Sequence, residues 1–374
     1  MFFFKPVLAL MNRARYAHKF LLIFTLFMLP YCWLSLSKLL DVNANLEQSR
    51  HELQGLLTLE RYLPVYRQAL GQAGLHVIGY ARNKDDARQE IERRSQDLIS
   101  AIGTLNAWLD GGQFSAMQLA ESDPGYSLDK KLSVQGLSSQ MIEHVSPVHA
   151  LSANMREIAA LSKLSQDSDP RIYRNVDLLL NQLLPLYEVL NQTRTFAGYM
   201  TAYGFLESSS RAAISNQFGT LQRYADGVEG KGNAQARQLM SDAAREAAAL
   251  YKREIVDTYT QSGYFDQNAV EHWLQRYAAY APHVASLDQA AGLLLEETAT
   301  LLQARADANL RALLLWALCL SLAVALLVYL FVGFYLSVHG AIATLSSATR
   351  RMAEGDLRTR VETAARDELL RRLG

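Results

Sequence analysis

The sequence predicts an all-α membrane protein: two transmembrane helices flanking a long extracytoplasmic helical bundle, followed by a helix–connector–helix segment. Three observations predict it. Uncharged runs long enough to cross a bilayer lie near both ends of the 374-residue chain. The stretch between them repeats its apolar residues every three or four positions, the helical period, without sustained alternation. The charges, 37 basic against 37 acidic, balance in total but are sorted along the chain.

Residues 1–19 hold Lys5, Arg13, Arg15 and Lys19 with no acid, a basic N-terminus. Residues 20–37 follow as 18 positions without a charge, enough for a transmembrane helix rising about 1.5 Å per residue. A cleaved signal peptide is the competing reading. The Leu36-Ser37-Lys38-Leu39 exit lacks a small-residue cleavage site, which favours an uncleaved anchor. Residues 38–311 are the bundle. Residues 312–338 form the second span, 27 positions without a charge, and residues 339–374 the tail. Basic flanks of membrane helices stay in the cytoplasm. Residues 39–310 carry 24 basic and 32 acidic side chains, whereas the tail has seven Arg against five acids. Both termini are therefore placed inside and residues 39–310 outside.

Within the bundle, Leu178, Leu179, Leu183, Leu186 and Leu190 recur at helical spacing, as do Leu293, Leu294, Leu301 and Ala304. Turn signals are sparse: Asp110-Gly111-Gly112, Asp123-Pro124-Gly125, Ser168-Asp169-Pro170 and the glycine-rich 227–233, with softer breaks near 82–85 and 262–263. They leave room for about six helices in an up-and-down bundle. Leu63-Pro64-Val65-Tyr66 recurs as Leu184-Pro185-Leu186-Tyr187, each followed by Gly-Tyr at slightly different offsets. A duplication would stack two bundle modules. Chance in a Leu/Tyr-rich helical chain accounts for the recurrence equally well.

Chemistry-bearing motifs are wanting, and no enzyme, cofactor or metal is expected. Gly230-Lys231-Gly232 lacks the phosphate-loop spacing. His144 and His149 are five apart, on different helix faces, and read as solvated side chains. Cys32 and Cys319 lie in the apolar runs, which excludes a disulfide framework or a cysteine zinc site. A chain with no net charge is also a poor match for nucleic acid.

The tail is the most specific stretch. Ile342, Leu345, Thr349 and Met352 are spaced as the seam of a parallel coiled coil. Gly355 is a helix stop that needs φ > 0. Asp356-Leu357, Val361 and Asp367-Glu368-Leu369 follow. Together these residues resemble a HAMP linker, the helix–connector–helix module that joins membrane helices to output domains in bacterial receptors. Ala341 replaces the usual Pro and Leu370 the usual Gly. The second helix ends about two turns in, so the linker reads as incomplete, and no methylated hairpin, kinase H-box or GGDEF motif accompanies it.

The outer region is similar to the sensory regions of methyl-accepting chemotaxis receptors and related sensors. Ser162, Leu164, Asp167, Tyr173 and Asp177 fall at the spacing of S-N-L-x-x-D-P-x-x-x-x-Y-x-x-x-D, with Lys163 in place of Asn and Ser168 in place of Pro. Leu184-Pro185 and Arg194 follow, as in that family. The resemblance implies a chemoreceptor-like sensor in the bacterial inner membrane, with residues 39–310 periplasmic and the output domain absent from this sequence. It also implies a homodimer, a small-molecule or periplasmic-protein ligand, and surrounding membrane lipid. HAMP signalling would rest on Ile342, Leu345, Met352, Gly355, Asp356, Val361 and Glu368. A ligand carboxylate lodged between helices needs arginines. Arg67 and Arg194 are best placed beside the Leu-Pro pairs, with Tyr66, Tyr187 and Tyr199 as pocket walls. The alternatives are snorkelling arginines over core tyrosines, the input half of a sensor kinase or diguanylate cyclase, and an envelope interaction protein without a small ligand.

Overall fold

A computed structural model describes residues 16–82, 85–119, 137–204, 210–262, 264–265 and 272–354. Among them are ten α-helices and no strand: α1 Tyr16–Arg82, α2 Asp85–Leu109, α3 Leu137–Leu161, α4 Pro170–Leu178, α5 Leu184–Tyr203, α6 Ser210–Asp226, α7 Ala234–Tyr251, α8 Asp257–Gln261, α9 Trp273–Ala278 and α10 Ala281–Ala353. The all-α reading holds. Helices end at 82, 109, 226 and 261 and begin at 170, beside the breaks read from the sequence; the 123–125 turn lies outside the described residues. Two breaks carried no dense turn signal. α5 stops at Gly204 in the left-handed region, φ 87°, a lone glycine among apolar neighbours. α10 starts beside Pro282, which the first turn of a helix tolerates because its missing N–H has no intrahelical role there.

Residues 48–306 form one compact unit. Its main core includes the fully buried Leu59, Tyr62, Tyr66, Leu183, Leu190, Tyr251 and Leu294. A smaller cluster gathers Leu75, Ile78, Ile91, Ala202, Trp273 and Tyr277. The two Leu-Pro-x-Tyr copies meet within this unit: the Tyr66 hydroxyl donates to the Leu184 carbonyl at 3.1 Å and to Glu188 Oε1 at 2.8 Å.

Pro185 explains a local irregularity. A π-helical turn, Leu179–Leu183, separates α4 from α5, and the Leu184 N–H bonds Leu179 O. The Leu180 carbonyl then faces a proline that has no N–H to give. Arg156 Nη2 donates to it instead, at 3.4 Å. The π turn thus accommodates a proline inside an otherwise continuous helical path.

The Ser162–Asp167 motif caps α3. Ser162 N–H bonds Ile158 O and Lys163 N–H bonds Ala160 O, with Lys163 in the left-handed region at φ 65°. Asparagine tolerates that conformation better than lysine, which gives a physical reason for Asn at this place in the pattern. Replacing Lys163 by Asn or Gly is expected to stabilise the protein by about 1 kcal/mol, read as a higher melting temperature. The missing Pro is made good two residues later: Pro170 opens α4, and the capping Asp169 carboxylate accepts from Arg171 N–H at 2.9 Å. Asp167 turns inward to the Arg305 guanidinium, receiving Nη1 at 2.9 Å and Nη2 at 2.8 Å. Arg305 also pairs with Glu52, which is fully buried on α1.

Residues 1–47 and 307–374 form the second unit. Within it Phe24 packs on Phe331 with ring centroids 4.3 Å apart, and Asn309 Nδ2 reaches Asn45 O at 3.4 Å. Leu26, Leu29, Leu34, Leu314, Leu322 and Leu330 are exposed. Such a large apolar surface is costly in water and at home in lipid. Among the described residues, the stretch in α10 is the one long and apolar enough to cross a membrane.

Candidate functional site

Sequence reasoning nominated Arg67 and Arg194, 127 positions apart, and both line one cavity of about 350 Å³ in the 48–306 unit. α1 contributes Arg67, Gln68 and Gly71; α2 contributes Arg93, Arg94 and Asp97; α5 contributes Arg194; and α10 contributes Ala281, Val284, Ala285 and Asp288.

Two glycines let α5 come close enough to α1 to place Arg194 there. A Cβ on Gly74 would stand 2.3 Å from Thr195 Oγ1, and one on Gly71 would stand 3.1 Å from Arg194 Nη2. Asn191, one turn before Arg194, takes two bonds on its Oδ1, from Nε at 2.9 Å and Nη2 at 2.7 Å. The guanidinium carbon lies 4.9 Å from the Tyr277 ring centre, a cation–π contact. The Tyr277 hydroxyl donates to Gly71 O at 3.2 Å, which ties that ring to α1.

The other arginines are neutralised. Arg67 pairs with Asp288, and the Tyr187 hydroxyl donates to the second oxygen of that carboxylate at 2.6 Å. Arg94 Nε reaches Glu90 at 2.6 Å, and Arg93 reaches Glu90 at 2.8 Å and Asp97 at 3.4 Å. No carboxylate among the described residues pairs with Arg194. Burial holds its pKa below the ordinary value; Tyr277 opposes that shift, while the nearby Arg94 and Arg67 reinforce it.

The tyrosines play a different part from the one expected. Tyr66, Tyr187 and Tyr199 are not lining residues of the cavity. Tyr66 and Tyr187 are core side chains whose hydroxyl pKa values burial pushes far up, helped by Glu188 for Tyr66 and Asp288 for Tyr187. Tyr199 stacks on Tyr203 with ring centroids 5.7 Å apart. Tyr187 still serves the cavity by holding Asp288 against Arg67. Arg93, Arg94 and Asp97 were missed because a Glu90–Arg93–Arg94–Asp97 ladder reads as a solvated helix face, and Asp288 because its partners Arg67 and Tyr187 are far from it in sequence. The legible signal was the Gly71/Gly74 pair, a close approach inside a helix.

In the tail, α10 ends at Ala353, and the Glu354 N–H closes back on Arg350 O at 3.0 Å. Ile342 and Leu345 are exposed. The Met352 side chain and Gly355, Asp356, Val361 and Glu368 lie outside the described residues. Residues 334–371 match the HAMP domain family, beginning within the apolar run 312–338. No curated protein and no solved structure matches the chain. A HAMP domain behind the apolar stretch of α10 makes this chain a HAMP-containing signal-transduction protein of the membrane.

Proposed function

We propose that the chain is a chemoreceptor-like transmembrane sensor that binds an extracytoplasmic signal in its helical bundle and passes it to the HAMP segment. The observation that carries this reading is the continuity of α10. One helix, Ala281–Ala353, holds the cavity residues Ala281, Val284, Ala285 and Asp288, then the apolar stretch, then the start of the HAMP match. A ligand acts only through its different affinities for two conformations. Coupling of about 1–3 kcal/mol and helix shifts of about 1–2 Å are the usual scale. A helix that touches the ligand site and enters the HAMP segment needs no intermediary.

In this reading residues 20–37 and 312–338 both span, both termini are cytoplasmic, and residues 39–310 are periplasmic. The protein works as a homodimer. A parallel seam needs a second chain, and exposed Ile342 and Leu345 are what such a seam offers before its partner is in place. The topology has a direct test. Alkaline phosphatase fused at the 110–112 loop should be active, and fused after residue 350 it should be silent. The reverse pattern would sink the receptor reading.

A further inference from the structure

We propose that the cavity between α1, α2, α5 and α10 is a binding site for a small monocarboxylate held by Arg194. This deepens the receptor reading and rests on it for biological meaning, though not for the binding itself. The argument begins with charge. Around the cavity Arg67 is matched by Asp288, and Arg93 and Arg94 by Glu90 and Asp97. Three cations meet three carboxylates, and Arg194 remains without one among the described residues. One uncompensated positive charge in a semi-enclosed space calls for one negative charge. A dicarboxylate would bring a second charge with no free partner.

Geometry then selects the head group. Asn191 occupies the Nε–Nη2 edge of the guanidinium at 2.9 and 2.7 Å. The Nη1–Nη2 edge is left over, a planar fork that matches the two oxygens of a carboxylate. Asn191, the Tyr277 ring and the absence of a Cβ at Gly71 hold that fork in place before any ligand arrives. Pre-organisation of this kind lowers the entropic cost of binding.

The remaining wall selects the tail. Ala281, Val284 and Ala285 present small apolar side chains, Val284 half-buried and the two alanines at the solvent-facing rim, and this wall offers no donor to the further oxygens of a phosphate. The volume of about 350 Å³ lies near the lower end of the roughly 300–1,000 Å³ usual for ligand sites. The ligand is therefore short. The Gln68 Oε1 atom is buried without a hydrogen-bond partner, and it would welcome a hydroxyl donor on that ligand.

Calorimetry on the full chain in lipid nanodiscs tests the assignment, with butyrate as the probe. Succinate, inorganic phosphate and the neutral isostere butyramide are the comparison ligands. Butyrate should bind, and butyramide should bind about tenfold or more weakly. Arg194→Met should cost butyrate a similar factor, and Arg194→Lys less, because lysine keeps the charge without the fork. Ala285→Phe, which places a large side chain at the α10 wall away from the carboxylate fork, guards against a folding artefact and should also weaken binding. The proposal is overturned if butyrate does not bind, if its binding is unchanged by Arg194→Met or by Ala285→Phe, or if succinate or phosphate binds more tightly. Butyrate binding together with reversed phosphatase fusions would uphold the site and remove the receptor. Correct fusions without any carboxylate binding would do the opposite.

Discussion

Replacing Arg305 by methionine is expected to lower the stability of the bundle by about 3–5 kcal/mol, the cost of leaving buried carboxylates without their cation. Among the described residues, Arg305 is the one that pairs with both Asp167 and Glu52. Neither carboxylate has an exposed side chain to turn toward water: Glu52 is 1 % and Asp167 0 % exposed at the side chain. The loss should also depend on pH in a definite direction. Burial raises the Glu52 pKa above its ordinary value near 4.5, outweighing the Gln48 hydrogen bond and the Arg305 charge that lower it. A carboxylate whose folded pKa lies above its unfolded one binds more protons in the native state. Its contribution therefore favours folding in acid and is lost as pH rises through the folded value. Removing Arg305 pushes that value higher still. The Arg305→Met penalty should be largest near pH 7 and shrink as the pH falls toward 5. Thermal melts of the full chain at the two pH values check this, and a penalty that grew in acid would refute the account. The triple change Arg305→Met, Glu52→Gln, Asp167→Asn should recover much of the loss, because no charge then remains to be paired.

Gly55→Ala should destabilise the protein by about 1–3 kcal/mol or more, although alanine is ordinarily the better helix former by about 1 kcal/mol. A Cβ on Gly55 would stand 2.3 Å from Ser162 Cβ and 2.4 Å from its Oγ. Ser162 is itself fully buried, its hydroxyl bonded to Ile158 O at 2.7 Å, so neither side chain can step aside and the backbones must part. Gly219 on α6 supplies the contrast. It is exposed, and nothing lies within 4 Å of a Cβ there. Gly219→Ala should be stabilising by somewhat under 1 kcal/mol. Opposite signs for the same substitution in two helices would show that the α1 contact, not helix propensity, decides. Equal signs would show that Ser162 yields.

The helical class and most helix ends were legible because both depend on local signals: apolar period, glycine and proline punctuation, and the charge-free runs. The HAMP segment was legible for the same reason, its seam, stop and connector being contiguous. Gly204 escaped notice because a lone left-handed glycine among apolar residues looks like any helical glycine. The cavity was half legible. Arg67 and Arg194 stood out beside the Leu-Pro pairs, but Asp288 lies about a hundred residues downstream of its hydroxyl donor Tyr187, at a separation of 101. No local pattern reports such a partner. The tyrosines were assigned to the pocket because an amphipathic ring suits a wall as well as a core. Tertiary packing chose the core.

The Arg305 tie has a consequence for how the protein is made. Glu52 precedes Arg305 by 253 residues, and Asp167 precedes Arg305 by 138. At about 5–20 residues per second, a ribosome takes roughly 13–50 s to synthesise the stretch from Glu52 to its cation. Throughout that interval the two carboxylates have reason to stay hydrated, and the core that Leu59, Tyr66 and Leu70 share with Leu287 and Leu294 of α10 stays incomplete. The nascent bundle passes through a long window in which chaperones or proteases can reach it, and the arrival of α10 closes that window.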